Sequence, residues 1–190
     1  LNTSRMLSLT VNDTLMLRTY LVDDAAEHFL LVQENRKHLR PWLRWVDGHT
    51  KEEHSLEYIR YTHQQQDYQQ GIILGIFEEG KLIGEVGMHY WEQELKKAQI
   101  GYWIAATHQG KSIIQQSLQR FFHHIFDTLH LNKLEIRFVV ANTRSGKVAE
   151  LLGCKVEGVL RASYFINGKL EDLVVTGILK QEFTKLKAVE

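Results

Sequence analysis

Residues 101–129 read GYWIAATHQGKSIIQQSLQRFFHHIFDTL. The first five are aromatic and β-branched, the next seven form a polar loop centred on Gly110, and the remainder repeats apolar residues at helical spacing. A strand that enters a helix through such a loop aims the helix's unpaired N–H groups, and the positive end of its dipole, at whatever lies above the strand. A phosphate is the natural guest. The spacing therefore predicts strand, anion loop and helix in sequence, and the rest of the chain is read outward from there.

Upstream, Ile72–Phe77 and Leu82–Tyr90 flank the turn Glu78-Glu79-Gly80-Lys81, which predicts a hairpin. A polar turn over 92–97 then leads to a strand at Ala98–Ile104. Further back, Leu15–Leu17 reads as a first strand, Asp23 and Asp24 open a helix, and HLRPWLRWV (38–46) is an irregular piece with Trp42 and Trp45 three residues apart. Thr50 with Glu53 predicts a capping box that launches a helix to about Gln69. Downstream, LEIRFVV (134–140) follows a helix, so it should run parallel to Ala98–Ile104. Asn142 or Thr143 should cap a short helix that ends at Gly153. Val156–Leu160 reads as a strand. Tyr164–Ile166 and Leu170–Leu179, joined by Asn167-Gly168, read as a second hairpin, and Lys180–Glu190 as a polar tail with helical character.

Composition narrows the function. A chain of 190 residues with 44% hydrophobic content suits one substantial core. Without repeats or an internal boundary, it is expected to form a single mixed α/β domain over 1–190, with its core at about 15–183. Lys+Arg and Asp+Glu balance at 23 each, so no global field favours nucleic acid or an anionic membrane, and neither is expected as a partner. No apolar run approaches the ~20 residues of a membrane span, and residues 1–20 lack a signal pattern. Cys154 is the one cysteine, so a cytoplasmic protein is expected, with that thiol small, buried and unreactive. His123 and His124 diverge on a helix, no HExxH occurs, and no metal is expected.

Two phosphate loops compete. Gly110-Lys111-Ser112 looks like the tail of a P-loop, but that motif needs a glycine where Ala105 stands. It also needs a magnesium-binding Asp after the partner strand, where Ala141 and Asn142 follow instead. The alternative cradles a pyrophosphate on backbone N–H groups without metal.

IGYWIAATHQGKSII, then a helix, a strand and VANTRSGKVAELLGCKVEG, resembles the GNAT N-acetyltransferases. Within them it resembles the branch that acetylates N-terminal amines of ribosomal proteins. The likeness spans about Leu15 to Phe183 and includes PWLRW and the closing NGKLEDLVVTGIL. It implies an α+β fold with a mostly antiparallel central sheet, helices on both faces and one parallel strand pair opening a cofactor cleft. It also implies acetyl-CoA as donor, a protein N-terminus or a small amine as acceptor, and the pairing into homodimers common among such relatives. A coenzyme-A-binding module without turnover is the remaining reading.

On the family's frame His108, Gln109, Gly110, Lys111 and Ser112 hold the pyrophosphate, flanked by Ile104 and Ile113. Ser112 departs from the usual glycine, and its side chain restricts φ and crowds a close phosphate approach. The resemblance places Ser145 beside the sulfur as proton donor and Asn142 on the pantetheine arm, with Lys147 or Arg144 in reach of the phosphates. Ser145 and Asn142 also read as ordinary first-turn and capping residues. Oxyanion stabilisation falls to a backbone N–H near Trp103–Ala105. The glutamate that some relatives use as base falls here at Tyr164, a weak base near neutral pH. A water-relayed base is expected instead, with Glu85 ahead of Asp172, while Trp42, Trp45 and Tyr164 are expected at the acceptor groove.

Overall fold

A computed structural model describes residues 6–187. Its centre is a single eight-stranded sheet of order β1-β2-β3-β4-β5-β6-β8-β7. The strands are β1 (Ser8–Thr10), β2 (Leu15–Arg18), β3 (Ile72–Glu78), β4 (Lys81–Glu92), β5 (Lys97–Ile104), β6 (Lys133–Val139), β7 (Lys155–Ile166) and β8 (Lys169–Leu179). Every neighbouring pair is antiparallel except β5 and β6, which run parallel. The crossover between them is the helix α4 (Ile113–His123), the connection a parallel pair requires.

Alternation along the central strands puts apolar side chains on both faces. On one face Val86, Met88, Ile100, Leu134 and Ile136 pack with Leu118, Phe121 and Phe122 of α4. On the other, Tyr20, Ile73, Phe77 and Leu82 meet α1 (Ala25–Glu34) and α3 (Glu52–Asp67) through Ala25 and Ile59. Strand β3 is buried along nearly its whole length, as a strand covered on both sides must be. Among the described residues no helix is long and apolar enough to cross a membrane.

Several local expectations change. Helix α3 begins at Glu52 with Lys51 as N-cap and no side-chain cap, so the Thr50–Glu53 box does not form; the Thr50 N–H donates to His54 Nδ1 instead, at 3.2 Å. The apolar run predicted as helix to Leu129 leaves α geometry after His123 and finishes as a wide π turn over His124–Thr128. The two strands expected at 156–160 and 164–166 are one strand, β7, interrupted by register shifts between Val156 and Gly158 and between Leu160 and Tyr164. Strand β1 went unpredicted because three residues show no period. HLRPWLRWV resolves into the end of α2 (Arg36–Leu39) and a 3-10 turn over Arg44–Gly48. The tail is helical as α6 (Lys180–Lys187), and 188–190 lie outside the described residues. At the second hairpin Asn167 and Gly168 carry φ of 51° and 77°, the pair of positive values a two-residue turn of this kind demands.

Candidate active site

Strands β5 and β6 pair only from Lys97–Ile100 against Lys133–Ile136 and then diverge. Beyond that point each remains bonded to its outer neighbour. Ala105 N–H donates to Ile83 O at 2.8 Å and Val140 N–H to Asp172 O at 3.1 Å. Because strand amides alternate in direction, those two bonds turn the backbone of Tyr102, Ile104, Arg137 and Val139 into the opening. Two of their carbonyls are already met: Ile104 O lies 3.1 Å from His38 Nε2, and Val139 O accepts Asn142 N–H at 2.8 Å. The remaining amides line a cavity of about 720 Å³. A strand-like guest that carries its own amides fits this slot, because unmet buried backbone groups are costly.

The loop at the mouth is held from two sides. Asn35 Oδ1 accepts Ala106 N–H at 2.8 Å, while His108 Nε2 lies 3.2 Å from Glu78 and its Nδ1 lies 2.9 Å from Thr107 Oγ1. Gly110 takes φ of +74° with open space where a Cβ would stand. Ser112 also takes the left-handed region, φ 57° and ψ 13°, directly before α4. The first N–H of the helix to find a backbone carbonyl is that of Gln116, on Ser112 O at 3.0 Å. No side chain caps this helix and no acid sits in its first turn, so its N-terminal amides are free for an anion. Ile104, His108, Gln109, Gly110, Ser112 and Ile113 line the cavity; Lys111, expected with them, does not. Gln109 crosses the opening, accepting from Arg144 Nη1 at 2.5 Å through Oε1 and meeting His38 Nε2 at 3.1 Å through Nε2. Lys147 lines the cavity with its ammonium paired to Glu150 at 2.8 Å. A diphosphate-bearing arm in this cavity would meet amides at one end and Arg144 and Lys147 on the facing wall, α5 (Thr143–Leu151).

Deeper in, Asn142 caps α5 by accepting the Ser145 N–H at 3.2 Å. Ser145 Oγ and the Tyr102 hydroxyl lie 2.7 Å apart. Burial pushes the Tyr102 phenol up to about 12, against the Ser145 bond, so it stays protonated near neutral pH and can keep the serine supplied with a proton. Tyr102 escaped the sequence reading, although its place in GYWIA alternates toward the cleft. Cys154 is half-buried, and burial pushes its thiol up to about 12, which makes it a poor nucleophile.

Glu85 lies on β4 directly opposite Trp103 of β5. Its carboxylate is buried and accepts from Tyr20 OH at 2.9 Å and Tyr58 OH at 2.8 Å. Burial raises its pKa to about 7, against the two tyrosine bonds. The indole N–H of Trp103 pulls the same way as the tyrosines, although no protein group meets it in hydrogen-bond geometry. A carboxylate poised near 7 has the affinity a general base needs. Asp172 is placed otherwise. It is exposed, lies outside the cavity lining, and accepts the N–H of Ala162 at 2.8 Å inside the β7 irregularity. Trp42 and Tyr164 line the cavity together, with Tyr164 OH donating to Trp42 O at 3.4 Å and Arg44 over the tyrosine ring at 5.6 Å. Burial raises the Tyr164 phenol, which takes it further from a base's role. Trp45 stands outside the lining and packs on Trp103 at 6.2 Å and His49 at 5.6 Å.

The family model described as an acetyltransferase (GNAT) domain matches residues 14–155. A putative ribosomal N-acetyltransferase, YdaF of Bacillus subtilis (strain 168), is 32% identical over 94% of this chain and 98% of its own. The ribosomal-protein-serine acetyltransferase of Escherichia coli (strain K12) is 28% identical over 87% of this chain and 93% of its own. Among solved structures, the microcin C7 self-immunity acetyltransferase MccE, in complex with acetyl-CoA and AMP, superposes with a TM-score of 0.86 at 25% identity, covering 89% of this chain and 94% of that one.

Proposed function

We infer the reaction from one premise: the chain belongs to the GNAT acetyltransferase family. It is an acetyl-CoA-dependent N-acetyltransferase, and the acceptor we assign is the α-amine of a protein N-terminus, of ribosomal-protein type, acetylated in the cytoplasm by direct attack in a ternary complex. The observation that carries the choice of acceptor is the charge of the cavity. Among the described residues that line it there is no Asp or Glu, whereas Arg137, Arg144 and Lys147 are present. A polyamine, with several ammonium groups to satisfy, has no counter-charge there. A peptide brings one amine, and Trp42 and Tyr164 offer its backbone a flat aromatic wall. The names of the two full-length bacterial relatives support the ribosomal assignment.

Acetyl-CoA, when bound, supplies an acetyl group activated as a thioester. The chain's residues do the remainder. The loop amides from Gln109 to Ile113 bind the phosphates, and the cleft-facing amides of β5 and β6 hold the arm extended. The Ile104 N–H, free of β4, offers the hydrogen bond an oxyanion needs. Ser145, backed by the Tyr102 phenol, holds a proton at the thiol end. Glu85 receives the proton that the ammonium must lose before it can attack.

Thiol release from acetyl-CoA, followed with serine- and alanine-initial peptides, spermidine and small antibiotic amines in parallel, tests this reading. Release with the peptides alone is the expected result. Release with the small amines alone would transfer the assignment to them. Binding of acetyl-CoA without release in any arm would make the chain a coenzyme-A-binding module.

A further inference from the structure

From the cleft, Glu85 stands behind a wall. Trp103 lines the cavity and Glu85 does not. Glu85 as a residue is 7% exposed, and both carboxyl oxygens are held by tyrosines. An amine in the cleft needs a carrier for its proton to cross. Two polar atoms of this wall are fully buried without a protein partner, Trp103 Nε1 and His28 Nε2. Their rings lie 6.0 Å apart, centroid to centroid, and the His28 ring sits 5.5 Å from each of the two tyrosines that hold Glu85. Each such orphan costs about 1–3 kcal/mol unless water meets it, and a buried water with two to four polar partners is the usual remedy.

The far side of His28 is hydrogen-bonded. Nδ1 lies 2.8 Å from Ser55 Oγ, and the same oxygen lies 2.7 Å from His49 Nε2. Ser55 has one proton, so it can donate to one imidazole only and must accept from the other. Burial, with His49 adding to it, lowers the His28 pKa to about 4, so the ring is neutral at physiological pH and one of its nitrogens is an acceptor.

Resting on the reading of Glu85 as a base reached through water, we propose that His28 is the positioning residue for that water: His28 Nε2 and the Trp103 indole N–H hold it between the acceptor amine and Glu85, with the His28 Nδ1–H donated to Ser55. In this arrangement the Nδ1–H of His28 donates to Ser55, which donates to His49. The water then accepts from Trp103 and from the ammonium, and donates to His28 Nε2 and Glu85, so that all four of its positions are used. In the transfer an ammonium N–H bond breaks and its electron pair stays on nitrogen. The proton goes to the water oxygen as the water passes one of its own to the carboxylate. The water is regenerated and Glu85 ends as the neutral acid.

The test is steady-state kinetics with acetyl-CoA and a serine-initial peptide on Glu85→Gln, His28→Phe, Trp103→Phe, the His28/Trp103 double variant and the conservative His28→Gln. Thermal unfolding verifies that each is folded, and Ser55→Ala serves in place of any His28 variant that is not. The expected result is a kcat lower by roughly 10- to 100-fold in each single variant, with KM for acetyl-CoA unchanged. The double variant should be no slower than the worse single, because both remove the same water, and His28→Gln should recover part of the rate. A wild-type kcat in His28→Phe and Trp103→Phe, beside a slow Glu85→Gln, overturns the relay and leaves the base standing. Losses that multiply in the double variant also overturn it. A wild-type kcat in Glu85→Gln removes the base, and the relay with it.

Discussion

At the scale of one side chain, the proposed base Glu85 carries the strongest predictions. With its pKa near 7, the ionised and active form grows as pH rises, so kcat/KM should climb through about pH 7 and level off above it. Glu85→Gln should flatten that limb and lower kcat at least 10-fold; an unchanged profile would take the role away. The same group leaves a mark on stability. Its folded pKa lies above the ordinary carboxylate value, so its contribution is complete below about 4.5 and is lost as pH rises through about 7. Between pH 5 and 8, Glu85→Gln should therefore gain on the wild type by roughly 3 kcal/mol, read from denaturant melts. His28 acts in the other direction: with its pKa lowered to about 4, it supports the fold above about 6.5 and withdraws that support as pH falls through 4. At the cofactor loop, Ser112 holds φ of 57° with no side-chain cap in return. Ser112→Gly should raise stability by about 0.5–1 kcal/mol, the left-handed cost less the entropy glycine adds to the unfolded chain; a lower unfolding midpoint would contradict this. In the sequence Glu85 is a candidate base on the strand of the central meander, and Ser145, in ANTRS, is placed by the family resemblance. Tyr102, Tyr20, Tyr58 and His28 were not legible, because each acts through a partner between 27 and 65 residues away or on another element, and no local pattern records such pairings.

At the scale of elements, the decisive event is the parting of β5 from β6 after Ile100 and Ile136. One cause is visible where β5 ends. Asn35, at the end of α1, takes the Ala106 N–H at 2.8 Å and ties the outgoing loop to the helical layer, away from β6. Asn35→Ala removes the partner of that amide, which sits on an exposed residue, and should cost about 0.5–1.5 kcal/mol of stability. Because the phosphate loop begins three residues on, it should also weaken acetyl-CoA binding several-fold by calorimetry. Equal affinity in the variant would show that the loop is positioned without Asn35. Here the sequence was informative. The strand–loop–helix of 101–129, the Glu78–Lys81 turn and the Asn167-Gly168 turn all carry local signals, and the first of them required a parallel crossover. What it hid has a physical reason. Asp172, a candidate base by resemblance, instead accepts the Ala162 N–H at 2.8 Å within the β7 irregularity. A strand that bulges and a strand that ends look alike in sequence, which is why β7 was divided into two.

For the whole molecule, the sheet order sets the geography. With β5 and β6 adjacent and parallel at its centre, α4 covers one face and α1 with α3 the other. The opening between the two strands is where the proposed donor and acceptor would meet, and the buried network around Glu85 lies on its α1/α3 side. The composition excluded a global charge field, and the local one proved to be the informative quantity: a cavity lined by cations and amides, without a carboxylate among the described residues. That polarity supports the proposed pairing of a polyanionic donor with a singly charged acceptor. The most direct measurement is mass-spectrometric mapping of the acetyl group on a serine-initial peptide that has one free α-amine and one internal lysine, incubated with the protein and acetyl-CoA. A single acetyl group on the α-amine is the predicted product; acetylation at the lysine, or an unmodified peptide beside an acetylated polyamine, would contradict the account.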